Sequence, residues 1–373
     1  MQLRSKNPGA SHSIWLKTLA LINLTILSFL FSSCSDDTVS PPKPPPTVEI
    51  KDSSIFDWQF VDCSGNYMSD MYVLDTNRIF FAAWPNLCYY NGAKIVSIET
   101  DPPYYFPQIV RGFDENNVFF GGFYYNSGSD PVKKLWLKKW NGSSIETTLL
   151  PNDTTLLGFR DMFVNNLNDI WISVYPAKFY HFDGTNFTTY ISQNQNMYLS
   201  YFFKDLNSDL FTSAATQLQV NHWLFQVFKL ENNNWSNYIS DTVIQNVSPL
   251  QFGSYPCGTD YIRMGLNSLY CFNGQGWTFL SSTPGFNAHY IGGVSKDSFL
   301  CSGKVETLPY YRFFYYNGLN WYRQSNFMPP YVNYYDEINS IKEKNNNYYG
   351  FFNNSTYENY FFIGKPKISG AMK

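Results

Sequence analysis

Five aspartates, Asp75, Asp114, Asp169, Asp209 and Asp297, recur at one position of a repeating pattern in this 373-residue chain. A ring of carboxylates offers two chemistries. It can ligate a hard cation such as calcium, or a pair about 5 to 9 Å apart can act as general acid and base on a glycoside. Each of the five, however, lies in an Asp/Asn-rich turn between two apolar segments, where a short carboxylate caps backbone N–H groups. A turn role is expected for all five, and a catalytic pair would have to come from non-equivalent positions.

The remaining chemistry-bearing residues are sparse. Beyond the first 33 residues the histidines are His181, His222 and His289. No nucleophile elbow, Ser/His/Asp order, Gly-rich phosphate loop, C-x-x-C or His-x-x-x-His spacing occurs, so no metal and no cofactor are expected. Cys63, Cys88, Cys257, Cys271 and Cys301 form an odd set, which argues against a full disulfide framework. They read as small buried strand residues, with pairing of some of them left open.

The elements that must position these residues are short strands. Residues 161–190, DMFVNNLNDIWISVYPAKFYHFDGTNFTTY, hold four apolar segments separated by turn signals, the pattern of an antiparallel meander. The rest of the chain paraphrases it. A tight two-residue turn is expected at Asp183-Gly184, with counterparts at Asn91-Gly92, Asn141-Gly142, Asn273-Gly274 and Asn317-Gly318. Asn232 to Asn234 replaces the glycine turn in the fourth copy, and Gly364 marks the seventh. The mean spacing is about 45 residues, the length of a four-stranded blade. Seven copies predict an all-β, seven-bladed β-propeller of four-stranded antiparallel blades. The seventh copy lacks its last strand, and Ser54–Phe60, lying before the first copy, is expected to complete it and close the ring. No 3.6-residue apolar period persists, which excludes a helical solenoid.

The N-terminus reads as an address. Arg4, Lys6 and Lys17 precede the apolar run LALINLTILSFLF, the length of a signal-peptide core rather than of a spanning helix. The run ends FSSC, which resembles the lipobox of bacterial lipoproteins; the resemblance implies cleavage before Cys34 and a lipid on its thiol. Ser35-Asp36-Asp37 resembles the export signal of Bacteroidetes-type surface lipoproteins. The Pro-rich TVSPPKPPPTVE that follows favours an extended, semi-rigid spacer. The expected organisation is thus a signal peptide over 1–33, a tether over 34–50, the propeller over 51–367 and a tail over 368–373. The expected location is the cell envelope, as an outer-membrane lipoprotein facing outward. After the leader, 23 basic residues stand against 29 acidic ones, a net charge of about −6 that leaves no footprint for nucleic acid.

An Asp/Asn-rich turn, an aromatic strand and Tyr-Phe-Asn-Gly-x-x-Trp are similar to bacterial Kelch-like and regulator-type propeller repeats. The Ser-x-Asp-x-Gly-x-x-Trp box of sialidases is absent, which removes the main reason to expect a glycosidase. With the first strand of each blade innermost, as that resemblance implies, one rim carries Trp84, Tyr104, Tyr105, Tyr331, Tyr334 and Tyr335. Inserts at Tyr124 to Lys134 and Ser213 to Trp223 are expected to raise the wall of that rim. Exposed Tyr and Trp suit stacking on sugars or anchoring a protein; the alternative is that they pack loop against loop. The expected function is a non-enzymatic, monomeric scaffold or binding module, held to the membrane through Cys34, for a protein or glycan. The rival is a carbohydrate-active enzyme, hydrolase or lyase, with its site in the central channel.

Overall fold

The computed structural model describes residues 50–100, 104–128, 132–151, 158–175, 178–191, 197–205, 207–219, 222–244, 254–257, 260–265, 267–305, 311–327, 337–353 and 359–367. The leader, Cys34, the tether before residue 50, the tail and the trio Tyr331, Tyr334 and Tyr335 lie outside them. Every regular element among the described residues is a strand.

β1 (Ile50–Ser53) and β2 (Phe56–Asp62) precede the blades. Blade one is β3 (Tyr67–Asp75), β4 (Arg78–Trp84), β5 (Asn86–Tyr90) and β6 (Ile95–Thr100). Blade two is β7 (Tyr105–Asp114), β8 (Asn117–Tyr125), β9 (Lys133–Trp140) and β10 (Ile145–Leu149). Blade three is β11 (Gly158–Asn166), β12 (Asp169–Tyr175), β13 (Lys178–Phe182) and β14 (Phe187–Ile191). Blade four is β15 (Met197–Lys204), β16 (Leu210–Gln219), β17 (His222–Glu231) and β18 (Asn234–Ile244). Blade five is β19 (Ser254–Cys257), β20 (Asp260–Gly265), β21 (Ser268–Phe272) and β22 (Trp277–Ser282). Blade six is β23 (Phe286–Ser295), β24 (Ser298–Val305), β25 (Tyr311–Tyr316) and β26 (Trp321–Gln324). Blade seven is β27 (Glu337–Lys344), β28 (Asn347–Asn353) and β29 (Tyr360–Pro366), with β2 as its fourth strand.

The strands of each blade follow one another antiparallel from the axis outward. The first strands touch in order around the ring, and β27 returns to β3. This is the expected seven-bladed propeller. Second strands read as unbroken apolar runs, RIFFAAW in β4 and DIWISVY in β12, because a blade lies against each of their faces. Fourth strands such as β10 and β14 face solvent and carry Thr and Glu. The hydrophobic core is accordingly divided among the seven junctions between blades. Phe80, Val110 and Trp136 pack at the one–two junction, and Met71, Phe81 and Phe361 at the seven–one junction.

Closure follows expectation: Phe56 to Asp62 pairs antiparallel with Pro366 to Tyr360. β1 was not anticipated. It runs parallel to β26 as a fifth strand of blade six, with Arg323 Nε and Nη2 donating to the two Asp52 oxygens at 2.6 and 2.8 Å. Its four residues, IKDS, hold one apolar side chain and so show no alternation to read.

Three further expectations are corrected. The glycine turns are four-residue loops, not two-residue ones: Asp183 N donates to Asn186 O at 3.1 Å and the Asp183 carboxylate accepts the N–H groups of Thr185 and Asn186. A true two-residue turn occurs in blade four, where Asn232 and Asn233 both take positive φ. Gly364 is no turn residue; it lies within β29, where an added Cβ would fall 2.4 Å from the Trp58 ring. Ser213 to Trp223 is not an inserted loop, because β16 and β17 continue their pairing through it as a tall hairpin.

Candidate functional site

Six of the seven innermost strands carry a register shift near their start, in β3 between Met68 and Asp70, in β7 between Pro107 and Ile109, and in β11 between Phe159 and Asp161. The same occurs in β15, β23 and β27. A bulge re-aims side chains, so consecutive residues such as Ser69–Asp70 and Gln108–Ile109 both reach the axis. Backbone groups at these irregularities need partners, and the neighbouring blade supplies them. Asp70 Oδ2 accepts the Val110 N–H at 3.2 Å, Gln108 Oε1 that of Phe159 at 2.8 Å, and Asp161 Oδ2 that of Phe202 at 2.7 Å. Further round, the Tyr255 hydroxyl donates to His289 O at 2.9 Å.

Arg111 joins these links into a clamp. Its Nη2 donates to Asp161 Oδ1 at 2.6 Å, and its Nη1 donates to Asp70 Oδ2 and to Val110 O. Burial pushes the Asp161 carboxyl above its usual range, opposed by the Arg111 charge and the Phe202 N–H. Both oxygens of Asp161 thus accept hydrogen bonds, and Asp70 Oδ2 accepts two. These carboxylates link blades one to four across their junctions.

Within this frame lies a funnel of about 550 Å³ at the ring axis. One side is charged, with Asp70 and Arg111 joined by Lys342 from β27. The other is a run of tyrosines from blades four to six. Tyr201 and Tyr255 have ring centroids 5.2 Å apart, Tyr255 and Tyr290 5.8 Å. Burial raises the Tyr201 and Tyr255 hydroxyls far above the ordinary phenol range, so both are neutral donors. Lys342 makes no ion pair among the described residues; its Nζ stands 5.8 Å from the Tyr201 ring centroid. Burial, and secondarily the Arg111 charge, lowers its pKa, with Asp70 and Asp161 pulling the other way. Arg160, exposed at the lip, lies 5.5 Å over the Tyr175 ring.

Trp84 ends a second strand, and Tyr105 opens a first strand directly after Tyr104, at the same end of the ring as the funnel lining. Trp84 pairs with Tyr67 across β3 and β4, and both are exposed. Trp84 also stacks on Phe106 at 6.5 Å. Tyr104 is exposed with φ of 76°. Tyr105 is half-buried on Tyr124 and Trp136, so it packs blade two. Trp84, Tyr104 and Tyr105 thus share a sector of blades one and two, while Tyr331, Tyr334 and Tyr335 lie outside the described residues. The five aspartates sit at the opposite end but not at one repeat position: Asp75 and Asp114 end first strands, Asp169 opens the second strand β12, and Asp209 and Asp297 lie between first and second strands. Asp75 and Asp114 accept the N–H groups of Asn77 and Asn116 at 2.7 and 2.8 Å, the turn role expected of them. His181 stacks on Trp171 and bonds Asp169 Oδ1 at 2.9 Å.

The axial residues escaped the sequence reading, although a signal was present. SDMYV in β3 and RDMFV in β11 set Asp70 and Asp161 at one repeat position of the first strands, each directly before an apolar run. Arg111 and Lys342 are likewise charges within such strands.

No family model and no curated protein matches the chain. Solved propellers do resemble it in shape. YCF48 bound to D1 peptide is 10% identical with a TM-score of 0.59, covering 86% of this chain and 100% of that one. Streptogramin B lyase is 10% identical with a TM-score of 0.57, covering 84% and 98%. YCF48 from Cyanidioschyzon merolae is 10% identical with a TM-score of 0.56, covering 83% and 98%. At such identity the likeness is one of fold.

Proposed function

We propose that this chain is a non-catalytic binding propeller of the cell envelope, tethered through a lipid on Cys34, which engages a protein or glycan at the funnel end of the ring. Similar propellers include one solved with a peptide and one named a lyase, so the fold favours neither class and the site must decide. The observation that carries the reading is the Asp70–Arg111–Asp161 clamp, which ties the axial carboxylates into links between blades. Around the funnel mouth, exposed Tyr67, Trp84 and Tyr104 offer aromatic faces for a partner. The leader, the cysteine and the Pro-rich spacer support the envelope address. The test is an array of glycans and peptides probed with the full-length protein in detergent, beside a Trp84→Ala, Tyr104→Ala variant. Retained ligand that the double variant loses is the expected result; equal retention by both proteins would remove the rim from the reading.

A further inference from the structure

We infer that the funnel takes a carboxylated sugar, its carboxylate on Lys342 and its ring face on the tyrosine wall; this rests on the binding reading above. The first support is charge. Asp70 and Asp161 both pair with Arg111, and their remaining charge acts at a distance on Lys342, which lines the same space without a direct ion pair among the described residues. Arg160 adds a second cation at the lip, held only against the Tyr175 ring. Counting Arg111, Lys342 and Arg160 against Asp70 and Asp161, the funnel and its lip carry one cation more than carboxylates in a protein that is acidic overall, which favours an anion there.

The second support is the two-sided lining. Tyr201, Tyr255 and Tyr290 form a continuous aromatic arc, which suits the C–H face of a pyranose. The opposite arc offers small hydrogen-bonding groups, Ser69, Gln108 and Ser340. Gln108 spends its Oε1 on the Phe159 N–H, so its amide NH₂ stays available as a donor. The aliphatic lining is limited to Met68, Ile109 and Ile341. A peptide would need apolar pockets for its side chains, whereas a polyol with one carboxylate matches a wall that is half aromatic and half polar. The volume, about 550 Å³, falls within the roughly 300–1,000 Å³ of sites that enclose small ligands.

The experiment is calorimetric titration of the full-length protein, in detergent, with trigalacturonate, its methyl ester, inorganic phosphate and a tripeptide with a free C-terminal carboxylate. Lys342→Gln and Lys342→Arg are titrated alongside, with thermal unfolding as the control for folding. Trigalacturonate is expected to bind, and both esterification and Lys342→Gln are expected to weaken it at least about tenfold, the loss that follows removal of one charge-assisted hydrogen bond. Lys342→Arg is expected to recover most of the affinity. Equal affinity for acid and ester overturns the proposal, as do phosphate or the tripeptide binding as tightly as the uronide. Uronide binding that ignores Lys342 but is lost in Trp84→Ala, Tyr104→Ala overturns the funnel assignment and leaves the rim reading standing. Shortened sugar in the cell would overturn the binding reading itself.

Discussion

At the scale of residues, the axis is governed by which charges have partners. Arg111 holds two buried carboxylates, so Arg111→Gln should destabilise the fold by about 3–5 kcal/mol, the effect of stranding buried charge. The same change in an Asp70→Asn, Asp161→Asn background should cost much less, and chemical denaturation of the four proteins measures the difference. Lys342 gives a pH prediction. The charges that act on it are those of Arg111, Asp70 and Asp161, and the Tyr201 ring lies 5.8 Å from its Nζ. Only the ammonium form can hold a carboxylate, and its pKa in the free protein lies below the ordinary lysine value. Uronide affinity should therefore be full below that lowered pKa and fall as pH rises through it, with no such fall in Lys342→Gln. The five ring cysteines are buried with free thiols. Burial pushes Cys63 to about 12 and Cys271 to about 11. Native protein should resist iodoacetamide near pH 8 and react on unfolding. Above about pH 8.5 unfolded thiols lose protons that folded ones keep, so this group of residues lowers stability as pH rises. Little of this was legible beforehand. A repeat alignment places Asp70 beside Asp161, but nothing in sequence says that an arginine 41 residues past Asp70 closes the gap between them.

At the scale of elements, the ring is latched by one N-terminal segment. Phe56 on β2 is fully buried between Tyr315 of blade six and Tyr348 of blade seven. Phe56→Ala should cost about 3–5 kcal/mol. Asp52→Ala, which breaks the exposed bidentate pair of β1, should cost less than about 1 kcal/mol. Thermal and denaturant unfolding of the two variants checks the order. The turns separate in the same way. Gly142 and Gly274 share φ near +90°, yet a Cβ at Gly142 would meet Asn116 Oδ1 at 2.0 Å and one at Gly274 meets nothing within 4 Å. Both alanine variants carry the left-handed backbone penalty of about 1 kcal/mol, and Gly142→Ala should lose more. The strands themselves were readable because aromatic and β-branched runs alternate with Asn, Asp and Gly. The length of the turns was not, since Asn-Gly opens two-residue and four-residue loops alike. β1 was hidden because its pairing depends on Trp321 and Arg323, some 270 residues away.

At the scale of the molecule, a period of about 45 residues made the blade count readable, because each blade must repeat the same apolar spacing to bury its neighbours. The funnel has no such period. Its lining comes from all seven first strands, charged on one side and tyrosine on the other, so it exists only once the ring is closed. Trp84 and Tyr104, recognised in sequence, and the axial residues found in the structure lie at one end of that ring, which makes a single binding face of two features read separately. The most direct measurement of this face is to hold full-length protein with saturating trigalacturonate for a day and then determine both occupancy and sugar chain length by mass spectrometry. One bound trisaccharide per propeller, recovered at its original length, is the expected result. Shorter or unsaturated sugar, abolished by Asp161→Asn in a protein that still folds, would contradict a site whose carboxylates are committed to holding the blades together.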